Sequence, residues 1–135
     1  MSVNFHTKIG EITNKDVRYK ADAYEFVMQA LWFTQKKLKK SGHITGKELL
    51  EGIKDLALEQ YGPMAKTVIR HWGVNTTEDF GEIVFNMVNS GLMRKNETDT
   101  SDEFKNGYNF DKAFNVFNTA NQKLRNNNFA KKQHS

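Results

Sequence analysis

The chain has 135 residues, close to the commonest size of one domain and long enough to bury a core without staples or metals. Hydrophobic residues make up 38% and charged residues 27%, with a mean hydropathy of -0.71, which describes a globular chain with a well-solvated surface. The absence of cysteine excludes disulfides, a thiolate nucleophile and thiolate zinc sites.

The net charge of +4 is unevenly placed. Residues 1–118 hold 16 basic and 16 acidic side chains, whereas the last seventeen add Lys123, Arg125, Lys131 and Lys132 and no acid. A neutral body is a weak footprint for a nucleic-acid partner, because such affinity comes from phosphates neutralised by Lys and Arg. The start, MSVNFHTKIG, lacks a charged stretch followed by an apolar run, and the most apolar window, YEFVMQALWF, is interrupted by Glu25 and Gln29. The expectation is a cytoplasmic protein without membrane contact.

Phe5, Ile9 and Ile12 recur at helical spacing and predict a first helix over 3–13, weakened by Gly10. Tyr24, Val27, Leu31 and Leu38 mark a longer second helix over about 20–40, its stripe widened by Phe26, Ala30 and Phe33. Its last turn, KKLKK, sets cations at the negative end of the helix dipole, and Gly42 is placed to close it. Thr45 and Glu48 form a Thr-x-x-Glu capping box ahead of a third helix over 46–61. Gly62 ends that helix, and Pro63 opens a fourth that carries Met64, Val68, Ile69 and Trp72 to Gly73. Thr76 and Asp79 repeat the capping logic before Phe80, Ile83, Val84, Met87 and Val88, with Gly91 as the stop of a fifth helix.

After Gly91, LMRK, the polar NETDTSDE and the aromatic FKNGYNF read as two short strands around a loop, a wing at about 92–110. Asp111 is placed to cap a last helix carrying Ala113, Phe114, Phe117, Ala120 and Leu124, and 126–135 reads as a flexible basic tail. The predicted fold is mainly α: a single domain over 1–125, built as a compact bundle of five to six helices with a small two-stranded β wing. A short strand at HIT, followed by helices and a hairpin, makes this order winged-helix-like, which is a fold analogy and not a function.

The stretch RHWGVNTTEDFGEIVF invites a reaction centre, with His71 as a base held by Asp79 or Glu82, or a metal site if His43 joins them. No His-x-x-x-His spacing or activated nucleophile accompanies it, and helix capping accounts for Thr76, Glu78 and Asp79. The glycines at 42, 46, 52 and 62 make no phosphate loop. The expectation is therefore no catalytic residue, no metal and no cofactor. Asp16 with Arg18 and Tyr19 forms either a structural tie between helices or, with His71 and Trp72, a ligand or partner surface.

In a winged helix, the element that normally enters DNA is here the one bearing Glu78, Asp79 and Glu82, which phosphates repel. Lys66, Arg70, Arg94 and Lys95, together with the tail, form a different candidate nucleic-acid strip. An exposed patch drawn from Tyr19, Trp32, Tyr61, Met64 and Trp72 would instead mark a protein partner.

Asp16, Arg18, Tyr19, Ala23, Tyr24, Phe26 and Val27, followed by HITGKELLEGI, YGPMAK, HWGV, TTEDFGEIVF, SGLM and YNFDKAF, resemble a family of uncharacterised bacterial proteins associated with planctomycetes and verrucomicrobia. The resemblance spans residues 16–114 and implies a bacterial cytoplasmic protein, without an activity or site residues to transfer. The functional expectation is a non-enzymatic protein-binding or regulatory domain whose partner and oligomeric state are open. Nucleic-acid binding is the alternative, and an enzyme or metal site at His71, Asp79 and Glu82 comes third.

Overall fold

The computed structural model describes residues 2–94 and 101–115. Among these residues six α-helices follow one another: α1 (Ser2–Lys15), α2 (Ala21–Leu38), α3 (Gly46–Tyr61), α4 (Ala65–His71), α5 (Thr77–Asn89) and the single turn α6 (Phe110–Ala113). Short 3-10 turns occupy Gly62–Met64 and Ser101–Phe104.

The centre of the domain is α2, as its apolar spacing predicts. Tyr24, Val27, Ala30 and Leu31 are fully buried, while Gln29, Trp32 and Lys36 face solvent. Antiparallel α3 packs against it so closely that a Cβ on Gly52 would fall 1.7 Å from Thr34 Oγ1. Thr34 is itself buried and donates its hydroxyl back to the Ala30 carbonyl at 2.7 Å, so this tight crossing leaves no orphaned polar group. Lys40 to Glu48 and Lys37 to Asp55 tie the same pair of helices at the surface.

The end of α2 differs from expectation. Lys39, not Gly42, takes the left-handed conformation with φ 55°, and the Lys40 N–H donates to the Gln35 carbonyl at 2.9 Å. At the next start the prediction holds in full: the Thr45 hydroxyl accepts from the Glu48 N–H at 3.0 Å, and the Glu48 carboxylate accepts from the Thr45 N–H at 2.9 Å. Gly62 and Pro63 form a 3-10 turn from which the short α4 emerges, and Trp72 at its end packs between Phe26 and Tyr61.

The wing requires correction. Among the described residues there is no strand: FKNGYNF has none and HIT contributes only a single β-bridge residue, Ile44, so the two-stranded β wing and the winged-helix-like fold fall away. The aromatic spacing that suggested strands comes from a turn instead. Phe104 ends a 3-10 turn and lies fully buried against Gly81 of α5. Asn106 then reverses the chain with φ 51°. Thr77 anchors the reversal at both ends: its hydroxyl donates to the Phe104 carbonyl at 2.6 Å and accepts from the Gly107 N–H at 3.0 Å. Tyr108 continues inward, donating to the Leu50 carbonyl at 2.8 Å, and its ring meets Phe110 at a tilt and Phe114 edge-on.

Asn109, rather than Asp111, caps the last helix, accepting from the N–H groups of Asp111 at 2.8 Å and Lys112 at 3.2 Å. Residues 95–100 of the expected wing, the expected helix beyond 115 and the tail lie outside the described residues. Among those described, no helix is long and apolar enough to cross a membrane.

Candidate functional site

Residues 16–20 connect α1 to α2 and lie against the corner where α4 turns into α5. Two backbone contacts fix this joint. The Lys20 N–H donates to the Trp72 carbonyl at 3.0 Å, and Gly73, at φ 95°, leaves so little room that a Cβ there would sit 2.1 Å from the Arg18 carbonyl oxygen. Glycine is needed at position 73 on both counts, handedness and space.

One face of α5 then lines up its polar residues against the loop. Asp79, Glu82 and Asn86 recur at spacings of three and four, and each meets a residue from 16–24. Asp79 Oδ1 accepts the Tyr19 hydroxyl at 2.5 Å, while its Oδ2 accepts the N–H groups of Asn75 at 2.8 Å and Thr76 at 3.2 Å. Glu82 meets the Arg18 guanidinium at 3.3 Å. Asn86 divides its amide between Asp16 and the Tyr24 hydroxyl, both at 3.0 Å. Arg18 also holds Asp16 through two nitrogens, at 2.9 and 2.7 Å, and lies over the Tyr19 ring.

The titration behaviour follows from these contacts. The Arg18 hydrogen bonds draw the Asp16 carboxyl far below the usual carboxylate range, against a smaller opposing effect of burial. Burial, then the hydrogen bond to the Asp79 carboxylate, pushes the Tyr19 phenol well above its ordinary value. Tyr19 is a neutral donor at physiological pH, not a general base.

No catalytic arrangement comes out of the corner. Asp79 is committed to Tyr19 and the start of α5, Glu82 to Arg18, and His71 Nε2 lies 3.0 Å from Lys20 Nζ. His43 sits in the loop between α2 and α3. Among the described residues, no group of three or more His, Asp or Glu side chains is placed to hold a metal ion. Comparison with protein-family models, with curated proteins and with solved structures finds no match for this chain.

The four residues expected to form a ligand or partner surface do converge, but as a closed joint: Tyr19 and Trp72 are buried, and the exposed Arg18 and His71 are engaged by neighbours. The nucleic-acid strip is interrupted by an acid. Asp111 pairs with Lys66 at 2.9 Å and lies 3.7 Å from Arg70, so the two cations meet a carboxylate of the same chain. Arg94 is exposed and has interactions of its own, and Lys95 lies outside the described residues. Of the expected aromatic and methionine patch, Tyr61 is partly buried, leaving Met64 at 55% and Trp32 at 58% exposure. Sequence reasoning did not single out Asn86, although its spacing of four from Glu82 placed it on the same polar face.

Proposed function

We propose that this chain is a non-catalytic protein-binding domain and that the solvent face of α2 around Trp32 is its docking surface. The observation that carries the reading is the 58% exposure of Trp32 at the middle of an otherwise well-buried helix. Tryptophan is enriched among residues that dominate binding energy, and leaving a large indole in water forgoes burial that the fold gives to Trp72. The polar groups that suggested chemistry support the same view, because they hold α1, α2, α4 and α5 in fixed relation and present α2 on a rigid frame. The motifs from Asp16 to Phe114 make a bacterial, cytoplasmic setting part of this proposal.

The test is a photocrosslinking phenylalanine analogue at position 32, exposed to a bacterial lysate and compared with the same probe at exposed Gln60. Discrete adducts from position 32 alone are the expected result. Equal, diffuse labelling from both positions would refute the assignment of α2.

A further inference from the structure

Asp22, Glu25, Gln29, Trp32 and Lys36 are spaced by three and four in strict alternation, so they lie along one side of α2, and Lys39, its left-handed cap, follows at the same spacing. All are exposed except Glu25, whose side chain is 40% accessible and meets the exposed His6 at 3.4 Å. Among the described residues, no hydrogen bond or ion pair engages the side chains of Asp22, Gln29, Trp32, Lys36 or Lys39. The row runs from acid through neutral to base. The helix dipole accounts for acids early and cations late, but it does not account for a solvent-facing tryptophan at the centre.

The positions share a further regularity. A two-fold axis between Ala30 and Leu31 would set a second, antiparallel copy of α2 so that Asp22 faces Lys39, Glu25 faces Lys36 and Gln29 faces Trp32, each twice. The two indoles would then be offset by about 4.5 Å along the helix axis, close enough to cover each other. Parallel pairing would bring like charges together and is rejected by the same row.

We infer that α2 is a homodimerisation surface on which a second copy of this chain packs antiparallel, with paired Trp32 side chains at the axis and acid-to-lysine contacts on either side. This rests on the proposed docking role of α2 and names its occupant. Six side chains from each copy fall short of a standard interface, which calls for a weak, transient association with a Kd on the order of 100 μM.

Sedimentation equilibrium of the full chain, from about 10 μM to about 1 mM, reads this directly. The expected mass rises with concentration from one chain towards two. Trp32→Ser weakens association about tenfold or more. Glu25→Lys and Lys36→Glu each weaken it by a smaller factor, because each sets like charges across the axis twice. Their one-to-one mixture recovers association, since every facing pair is then opposite in charge. Positions 25 and 36 are about 16 Å apart along one helix, so a contact within a single copy cannot produce that recovery. Thermal melts followed by circular dichroism verify that each variant is folded.

A wild-type mass that stays at one chain at the highest concentration, or a mixture no better than its components, overturns the second copy as occupant. Adducts between position 32 and a different protein would then preserve the docking surface with another partner. A monomer that also gives no adducts removes both readings.

Discussion

Removing one oxygen from the joint between the α1–α2 loop and α5 isolates a contact whose size can be worked out. Tyr19→Phe keeps the ring, which is 2% exposed, and keeps the Arg18 guanidinium 5.1 Å from its centroid. It deletes only the hydroxyl that donates to Asp79 Oδ1 at 2.5 Å. A hydrogen bond to a charged acceptor contributes about 1.5–3 kcal/mol. The lower end applies because Asp79 is only partly buried, so water can replace the lost donor, while Oδ2 keeps the Asn75 and Thr76 N–H groups. The expected cost is about 1.5 kcal/mol, or roughly 6 °C in Tm for a domain of this size. Asp79→Ala removes the same bond together with the support of the α5 start, for about 2.5 kcal/mol. Urea unfolding of both single variants and the double variant should give a coupling of about 1.5 kcal/mol, since the shared bond is lost only once. Additivity within about 0.5 kcal/mol would refute the claim that Tyr19 and Asp79 act as one contact.

Two glycines should respond in opposite directions to the same substitution. Gly73→Ala imposes a side chain at φ 95° and drives its Cβ to 2.1 Å from the Arg18 carbonyl, so urea unfolding should report a loss of at least about 3 kcal/mol. Gly10→Ala sits inside α1 with nothing beyond its own turn of helix within 4 Å of the added carbon, and should gain about 0.5–1 kcal/mol. Alkaline titration gives a third check, because burial raises the phenol of every tyrosine in the chain: Tyr19, Tyr24, Tyr61 and Tyr108. Their raised folded values give stability that is complete below the unfolded value of about 10 and is lost as pH climbs through the folded values. Tyrosinate absorbance at about pH 10 should therefore be low in the native protein and half-developed in guanidinium, and matching native and denatured curves would contradict the burial.

Most helices were legible because a cap or an apolar stripe is written locally. Thr45 and Glu48 sit three residues apart and need nothing else to cap α3, and the spacing of Tyr24, Val27 and Leu31 identifies a buried stripe without knowledge of its cover. Failure came where a distant group decides the local shape. FKNGYNF carries strand-forming aromatics, but its conformation is set by the Thr77 hydroxyl and the surface of α5, 27 and 30 residues away in sequence. The close of α2 failed on a smaller scale. A glycine four residues past the helix looked like the natural left-handed residue, but Lys39 takes that role, at a modest conformational cost.

The stretch from Arg70 to Phe85 shows why residue types alone mislead about chemistry. A histidine, three carboxylates and a tryptophan are the raw material of an active site, and they are equally the raw material of a tight corner between helices. What separates the two is whether the reactive atoms still have unspent capacity. Asp79 spends both oxygens on Tyr19 and on the backbone ahead of α5, Glu82 faces Arg18, and Trp72 fills the space between Phe26 and Tyr61. By the same test the unspent capacity of this molecule lies elsewhere, on the outer side of α2, where Trp32 is 58% exposed and, among the described residues, Glu25 alone of the row has an ion-pair partner, His6. A functional search that starts from unused side chains instead of reactive ones moves from the corner to the helix.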